Sequence, residues 1–451
     1  MNMASSSNSD SPPPSAPSFG EAFRFWLKLG FISFGGPAGQ ISIMHEELVE
    51  RRRWISEDRF LHALNYCMLL PGPEAQQLAI YIGWLLHRTL GGLVAGTLFV
   101  LPAALLLFGL SWSYVVFGKV AWVSAAFYGL KPAVLAIVVV AVLRIGNKAL
   151  KNRVMGSIAL VAFVAIAWLK VPFPLIILFA GALGWAGERW AKDSFLVIQG
   201  HGSKAGKTSV RSAVLDDSAE IPGHARPSWG RSLRVIALGL ILWWAPVAGL
   251  ALWLGADHAT VQQGLFFSKA AMVTFGGAYA VLPYVAQQAV EKYAWLGPTQ
   301  MLDGLALAES TPGPLIIVLQ FVGFLGAWNQ PGPLSPLGSA TLGSFITTWT
   351  TFVPCFLWIF LGAPYIERIR GNQRLNCMLS TITAAVVGVV LNLAVWFGLH
   401  LLMPQPGQFE VYSAVVAVVA FVGLQYRKWP MIPVILGSAL LGMVYRWMTA
   451  G

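Results

Sequence analysis

Two short motifs that combine glycine and proline interrupt the apolar segments of this chain. FGGP occupies Phe34–Pro37 and returns as FGGAY at Phe275–Tyr279, and PGP occurs at Pro71–Pro73 and Pro312–Pro314. Adjacent glycines weaken a helix and each proline removes a backbone donor, so these motifs predict broken helices. A broken helix offers a new N-terminus, whose free N–H groups and positive dipole end suit an anion. The alternative is an ordinary proline kink at a packing interface. The presence of breaks at two matching positions makes this alternative less favoured.

The predicted anion site consists of the residues at these breaks. The predicted substrate-binding residues there are Gly35, Gly36, Gly72, Gln77, Gly276, Gly277, Thr311 and Gly313, and the helix-breaking residues are Pro37, Pro71, Pro73, Pro312 and Pro314. No metal ion and no cofactor is predicted, because the sequence has no HExxH, GxSxG or clustered Cys and His pattern.

Three lysines lie within apolar segments and are predicted to bind the substrate as cations. Lys28 and Lys269 each lie six residues before an FGG motif, and Lys131 directly precedes Pro132. A lysine in hydrocarbon costs at least about 2.5 kcal/mol, so such residues are functional candidates by default. The alternative is that the long side chains reach the membrane interface.

Two acids and one histidine are candidates for proton coupling or gating. Glu74 directly follows the first PGP, and Glu309 lies shortly before the second. Carboxylates in such positions can relay protons, although an acid in the first turn of a helix is also a plain stabilising feature. His45, at the end of the first apolar segment, can titrate near neutral pH; an ordinary interfacial residue is the alternative.

The composition places these residues in a membrane protein. The chain has 451 residues, of which 56% are hydrophobic and only 11% are charged, whereas soluble domains average about 25% charged residues. This composition excludes a soluble enzyme, a disordered protein and a small disulfide scaffold. The net charge of +11 is explained more simply by cytoplasmic loops rich in Lys and Arg than by a nucleic-acid partner. The three cysteines form no CxxC pair.

Apolar runs long enough to cross a bilayer predict an all-α polytopic membrane protein with about thirteen transmembrane segments. They cover residues 20–43, 60–87, 91–117, 122–146, 154–170, 172–190, 233–255, 262–286, 299–327, 341–363, 377–402, 411–426 and 430–449. The two short pairs, 154–170/172–190 and 411–426/430–449, can each be a shallow hairpin instead. The distribution of Lys and Arg predicts a cytoplasmic N-terminus and a C-terminus on the opposite side of the membrane, although Arg51–Arg53 would then lie outside.

The predicted domain order is a tail, two membrane halves and the segments that join them. These are a disordered tail (1–18), a first half (19–190), a cytoplasmic linker (191–232), a connecting transmembrane helix (233–255) and a second half (262–449). The linker contains a near match to a phosphate-binding loop at His201–Thr208, but histidine replaces its first glycine. Transport driven by ATP is therefore not supported.

The two halves are similar in sequence. A shift of 241 residues aligns both FGG and both PGP motifs, and it also pairs Lys28 with Lys269 and Trp54 with Trp295. Each half has six predicted spans and one span lies between the halves, so their orientations in the membrane are predicted to be opposite. Inverted repeats of this kind are typical of secondary transporters, which bind substrate near the bilayer midplane between the repeats.

The motifs resemble those of a known family. FGGPAGQISIMHEELVERRRWI, LLPGPEAQQLAIYIGWLL, TFGGAYAVLPYVAQQAV and ESTPGPL are similar to segments of the chromate ion transporter (CHR) family in its long-chain, two-domain form. The resemblance covers about residues 20–190 and 262–449. It implies export of chromate from the bacterial cytoplasm, chromate resistance, a fused duplication of a half-size domain, and sulfate as a chemical analogue of the substrate. It also implies a location in the bacterial inner membrane, so that the C-terminus predicted to lie outside would be periplasmic.

Three classes of function follow from these observations. A secondary exporter of chromate or a related tetrahedral oxyanion is the first hypothesis, and a sulfate or other oxyanion transporter or channel is the second. An intramembrane enzyme is disfavoured, since no nucleophile–base pair is apparent. The sequence leaves open the coupling ion, the oligomeric state, a homodimer included, and whether each PGP marks a re-entrant hairpin or a kinked span.

Overall fold

A computed structural model describes residues 15–34, 36–197, 213–215, 227–275, 277–365, 373–405 and 407–449. Within these ranges the regular structure is helical, and no β-strand is formed. Gly35 and Gly276 lie outside the described residues, as do most of the predicted tail and most of the predicted linker, including His201–Thr208.

The first half is a series of helices separated by short connections. They are α1 (Phe19–Ile32), α2 (Gly36–His45), α3 (Glu57–Leu69), α4 (Glu74–Phe117), α5 (Ala121–Ala149), α6 (Arg153–Ala167), α7 (Phe173–Trp190) and the short α8 (Lys192–Phe195). Helix α1 begins at a capping box, in which the N–H of Ser18 donates to Glu21 Oε2 at 2.8 Å and Ser18 Oγ accepts from the N–H of Glu21 at 3.3 Å.

The second half follows a connecting helix, α9 (Trp229–Leu254). Its helices are α10 (Ala259–Met272), α11 (Ala278–Gln287), α12 (Pro298–Ser310), α13 (Val318–Asn329), α14 (Pro336–Gly362), α15 (Gln373–Leu402), α16 (Val411–Gln425) and α17 (Met431–Thr449). Helices α3 and α12 begin and end at positions 241 residues apart, and α5 and α15 begin 252 residues apart. The duplication seen in the sequence therefore extends to the order of the helices.

Helix α4 consists of two helical parts. His87 and Arg88 have non-helical backbone angles, so residues 74–86 and 89–117 form separate helical stretches. This interruption coincides with the predicted connection between the apolar segments 60–87 and 91–117. The ring nitrogen His87 Nε2 lies 3.0 Å from the carbonyl oxygen of Pro17, so the interruption is adjacent to the start of α1.

The helices that flank each FGG motif fold back on each other. Trp54, which follows α2, packs its ring 5.3 Å from that of Phe25 on α1, and the equivalent rings of Phe266 and Trp295 are 5.7 Å apart. We name residues 19–45 the first FGG hairpin and residues 259–287 the second. Phe34 and Gly36 lie at the tip of the first hairpin, and Phe275 and Gly277 lie at the tip of the second.

The PGP motifs also lie at hairpin tips. Tyr66 on α3 and Tyr81 on α4 have ring centroids 6.2 Å apart, so α3 and the first part of α4 run side by side. We name residues 57–86 the first PGP hairpin, and residues 298–329, which contain α12 and α13, the second. The apolar segments predicted around FGG and PGP are thus each two helices, because the glycines and prolines interrupt the backbone hydrogen bonds.

Several helices have the length and composition of membrane spans. Among the described residues six qualify, namely Glu74–Phe117, Ala121–Ala149, Trp229–Leu254, Pro336–Tyr365, Gln373–Leu402 and Met431–Thr449. Shorter apolar helices add to them, at Arg153–Ala167, Leu315–Asn329 and Val411–Gln425. Helix α9 exposes most of its apolar side chains, as expected of a helix that faces lipid. The chain is therefore a multi-pass membrane protein.

Candidate functional site

The FGG tips of the two halves have the same local structure. In the first, α1 ends at Ile32 and Ser33 Oγ donates to the carbonyl of Leu29 at 2.6 Å. In the second, α10 ends at Met272 and Thr274 Oγ1 donates to the carbonyl of Ala270 at 2.7 Å. In both halves a buried hydroxyl donates to a carbonyl of the last helical turn. That carbonyl therefore has a partner at the point where the helix ends and its backbone hydrogen bonds stop.

The PGP tips require glycine at their centre. Gly72 has φ of 121° and Gly313 has φ of 103°, values that side-chain-bearing residues rarely adopt. Each glycine also touches the opposite half: a methyl group on Gly72 would lie 2.8 Å from Cys355 Sγ, and one on Gly313 would overlap Ala103 Cβ. Cys355 and Ala103 are equivalent positions of the repeat, which makes the two contacts counterparts.

Two reciprocal hydrogen bonds join the tips across the halves. The N–H of Gly72 donates to the carbonyl of Thr274 at 2.8 Å, and the N–H of Gly313 donates to the carbonyl of Ser33 at 2.8 Å. Gly72 and Gly313 are equivalent, as are Ser33 and Thr274, so each PGP tip bonds to the FGG tip of the other half. The two pairs are also next to each other, because a methyl group on Gly277 would lie 3.9 Å from the ring of Pro37, so the four tips meet in one region inside the protein.

Glutamine side chains line this region with unused polar atoms. Gln40 Nε2 donates to the carbonyl of Gly313 at 2.5 Å, and Gln77 Nε2 donates to the carbonyl of Pro71 at 2.8 Å. The Oε1 atoms of Gln40, Gln76 and Gln77 are buried and have no hydrogen-bond partner. A buried polar atom without a partner is costly, so each of these amides has an acceptor that can take a hydrogen bond from a donor, while the Nε2 groups are the donors that an anion would use. Thr311 is buried, and its hydroxyl donates to the carbonyl of Ala308 at 3.0 Å.

The two predicted acids lie next to the tips. Glu74 is the first residue of α4 and is half-buried, and the charge of Lys148 acts on it. Glu309 is buried, accepts a short hydrogen bond from the hydroxyl of Tyr279, and interacts electrostatically with Arg144. Lys148 and Arg144 are exposed near the end of α5. The acids of the two halves thus each have a cation of α5 nearby.

Three other predicted residues lie away from the tips. Lys28 is on the exposed side of α1, with its ammonium 3.9 Å from Glu47, and Lys269 is exposed on α10. His45 is the last residue of α2 and directly precedes a charged π-helical segment at Glu46–Arg51; its Nε2 is 2.5 Å from Glu57 and its Nδ1 is 3.3 Å from Glu50. The stem of the FGG hairpin separates Lys28 from the break, because six helical residues span about 9 Å.

Lys131 forms a partly buried ion pair that sequence reasoning did not identify. Its ammonium lies 3.6 Å from Asp303 Oδ1, and the hydroxyl of Tyr114 donates to Asp303 Oδ2 at 2.9 Å. Asp303 falls within the predicted apolar segment 299–327, so an acid inside a span was the available signal. Among the described residues no group of three or more His, Cys, Asp or Glu side chains is arranged to hold a metal ion.

The fold and the site define a class of protein. Polar, interrupted backbone survives at membrane depth only where protein or a wet cavity surrounds it, and transporters bind substrate at such breaks between two similar repeats. The protein is thus a multi-pass membrane transporter. It belongs to the chromate transporter family, whose model matches residues 20–185 and 261–443.

Three relatives that are named chromate transport proteins match this chain over most of their length. The chromate transport protein of Cupriavidus metallidurans is 28% identical over 93% of this chain and 91% of its own. That of Pseudomonas aeruginosa is 34% identical over 84% and 80%, and the probable chromate transport protein of Synechococcus elongatus is 29% identical over 83% of each. No solved structure matches the chain.

Proposed function

We propose that this protein is a secondary active exporter of chromate, and of related tetrahedral oxyanions, across the bacterial inner membrane, and that it confers chromate resistance. Membership of the chromate transporter family supports the substrate. The observation that carries the mechanism is the reciprocal pair of hydrogen bonds from Gly72 to Thr274 and from Gly313 to Ser33. Two halves that share one central contact region can exchange their conformations around one substrate site.

The proposed topology makes all four hairpins re-entrant. Residues 213–215, which precede α9, pair with the loop after the first FGG hairpin: the N–H of Val214 donates to the carbonyl of Arg53 at 3.1 Å, and the N–H of Ser56 donates to the carbonyl of Leu215 at 3.0 Å. This loop and the linker therefore lie on one side. A crossing within the first PGP hairpin would separate them by an odd number of crossings, whereas a re-entrant hairpin does not.

The same reasoning extends to the first FGG hairpin. The contact between His87 and Pro17 keeps the start of α1 on the side where the first PGP hairpin ends. With four re-entrant hairpins, nine helices cross the membrane: α4 after residue 88, α5, α6, α7, α9, α14, α15, α16 and α17. The thirteen predicted spans become nine, while the cytoplasmic N-terminus and periplasmic C-terminus are kept. Arg51–Arg53 then lie on the cytoplasmic side, as the positive-inside rule expects.

This topology inverts the two halves. Four crossings of the first half and one crossing by α9 precede the second half, so equivalent hairpins enter from opposite sides. The tips then meet near the bilayer midplane, where inverted-repeat transporters bind substrate. A pseudo-two-fold axis in the membrane plane would relate Gly72 to Gly313 and Ser33 to Thr274.

We assign the oxyanion to the helix N-termini at these tips. Helices α2 and α11 begin next to each other, since a methyl group on Gly277 would lie 3.9 Å from the ring of Pro37. Two helix N-termini that face one another present N–H donors and two positive dipole ends, which suits a dianion. The proposed binding residues are Gly35, Gly36, Gly72, Gln77, Gly276, Gly277, Thr311 and Gly313. Lys28, Lys269 and Lys131 lie farther from the tips and are proposed to attract the dianion along its path.

The acids next to the tips are the proposed coupling groups. Glu309, with its hydrogen bond from Tyr279, and Glu74 both adjoin the substrate region. A dianion that leaves a negative cytoplasm gains about 4.6 kcal/mol per 100 mV, because each charge is worth about 2.3 kcal/mol. Export therefore has a driving force without ATP, and protons carried by these acids would set the stoichiometry.

The second candidate function is transport of sulfate or another oxyanion, either by a carrier that works in the direction of uptake or by a channel. Tetrahedral dianions differ little in size and charge, and backbone N–H donors bind any of them. A channel would give a flux that does not saturate with substrate, whereas a carrier saturates. Sulfate uptake would require energy against the membrane potential.

Everted membrane vesicles test the proposal directly. Vesicles that contain the protein are loaded with radiolabelled chromate under an imposed potential, positive inside, with sulfate as competitor. We expect saturable accumulation above that of vesicles without the protein. Absence of accumulation at any potential would overturn chromate export, and stronger accumulation of sulfate would favour the second function.

A further inference from the structure

A cluster of three side chains, of which Asp303 is buried and Lys131 and Tyr114 are half-buried, joins the two halves away from the tips. Lys131 on α5 and Tyr114 on α4 belong to the first half, and Asp303 on α12 belongs to the second. Asp303 is 3% exposed. Its Oδ2 accepts the hydroxyl hydrogen bond of Tyr114 at 2.9 Å, while its Oδ1 lies 3.6 Å from the ammonium of Lys131 and has no hydrogen-bond partner. Charge attraction, and not a short hydrogen bond, therefore holds Lys131 to Asp303.

The cluster lies toward the periplasmic side in the proposed topology. Asp303 is five residues after the outer end of α12 at Pro298, and Lys131 is ten residues after the outer end of α5 at Ala121. At 1.5 Å per residue these depths are about 8 and 15 Å. Tyr114 is three residues from the outer end of α4 at Phe117.

The cytoplasmic end of the same helix has the opposite character. Arg144 and Lys148 of α5 are exposed, and their charges act on Glu309 and Glu74 beside the tips. Helix α5 thus links an exposed cationic end on the cytoplasmic side to a closed ion pair on the periplasmic side. This arrangement is the one expected of a transporter that accepts an anion from the cytoplasm.

We infer that Lys131, Asp303 and Tyr114 form an outer latch, which keeps the periplasmic side of the pathway closed and separates when the oxyanion leaves. The inference rests on the topology of the proposed function. Asp303 holds the second half against α5, and a divalent anion that reaches Lys131 competes with Asp303 for its charge. The loose geometry of the ion pair suits a contact that must break in each cycle.

The test measures access to a cysteine just inside the latch. Leu307 is one helical turn beyond Asp303 on the same face of α12 and is 8% exposed. The reporter is Leu307→Cys in a chain whose Cys67, Cys355 and Cys377 are replaced by alanine, the residue that occupies the equivalent position of the other half in each case. A membrane-impermeant maleimide is added to the periplasmic side of right-side-out vesicles. Leu302→Cys, which replaces a fully buried residue of α12, is the matched control.

We expect slow labelling of the reporter with the native latch and labelling at least about tenfold faster with Asp303→Asn, because removal of one charge of a partly buried pair strongly shifts a two-state equilibrium. The charge-swapped pair Lys131→Asp/Asp303→Lys should restore slow labelling, and the Leu302→Cys control should stay unreactive throughout. Equal rates with native Asp303 and with Asp303→Asn would overturn the latch, as would acceleration from the cytoplasmic side alone.

A second variant covers the case in which Asp303→Asn does not fold. Lys131→Gln/Asp303→Asn leaves no unpaired charge in the interior, and it too should label at least about tenfold faster; a native rate in this folded variant contradicts the inference. The labelling does not depend on chromate. Accelerated labelling without chromate transport would therefore contradict chromate as the substrate and support the latch. Chromate transport with unchanged labelling would contradict the latch alone.

Discussion

Gly313 gives the sharpest test of the contact between the hairpin tips. Its φ of 103° is strained for any residue with a Cβ, at a cost of about 1–3 kcal/mol. A methyl group would also overlap Ala103 Cβ, and overpacking of this kind adds about 1–3 kcal/mol. The variant Gly313→Ala should therefore destabilise the conformation with joined tips by at least about 2 kcal/mol, which is more than a tenfold change in an equilibrium.

The assay pairs transport with stability. Initial rates of chromate uptake into everted vesicles should fall at least about tenfold in Gly313→Ala, and the thermal midpoint of the purified protein should also fall. The double variant Gly313→Ala/Ala103→Gly removes the overlap and keeps the backbone strain, so it should recover part of both losses. Gly109→Ala is the matched control, because a methyl group there meets nothing within 4 Å; its transport should be native.

The equivalent substitution Gly72→Ala should have a smaller effect. The atoms that its methyl group would meet first are Cys355 Sγ at 2.8 Å and Gln77 Nε2 at 3.0 Å, and both are the ends of side chains that can rotate. Native uptake and a native thermal midpoint in Gly313→Ala would refute the reasoning, since neither the strain nor the overlap could then be present in the working protein.

Three further predictions follow from the site and the topology. Lys28→Ala and Lys269→Ala should each reduce chromate resistance while the protein still reaches the membrane, if these cations attract the dianion; native resistance in both would remove them from the site. Glu309→Gln should abolish the dependence of vesicle uptake on a pH gradient, whereas Tyr279→Phe should weaken it, and an unchanged dependence in both would assign coupling elsewhere. Arg51→Cys in the cysteine-free chain should react with an impermeant maleimide in everted vesicles and not in right-side-out vesicles, and the reverse would exclude re-entrant hairpins.

The sequence predicted the breaks and the repeat because both depend on local chemistry. Glycine and proline interrupt helices wherever they occur, and the helices do end beside both FGG and both PGP motifs. The position of Gly313 against Ser33 depends instead on how the halves pack, and no single-sequence pattern specifies that contact. The sequence could therefore identify the tips but not their reciprocal hydrogen bonds.

The charged residues were harder to assign from the sequence. Lys28 and Lys269 recur at one offset within apolar segments, which predicts a shared role in binding, yet both are exposed on hairpin stems. Asp303 has no acidic counterpart in the first half, where His62 occupies the equivalent position. The repeat therefore does not indicate a function for Asp303. Its pairing with Lys131 joins residues of different halves, and only the three-dimensional packing reveals it.

Transport of chromate into everted membrane vesicles that contain the protein, or into vesicles reconstituted with purified protein, tests most directly whether the protein exports chromate through the joined tips. With a potential that is positive inside, we expect saturable accumulation of radiolabelled chromate. Its initial rate should fall at least about tenfold in Gly313→Ala and stay native in Gly109→Ala. Equal accumulation with and without the protein, or equal accumulation by both glycine variants, would contradict an exporter whose substrate site lies at the joined tips.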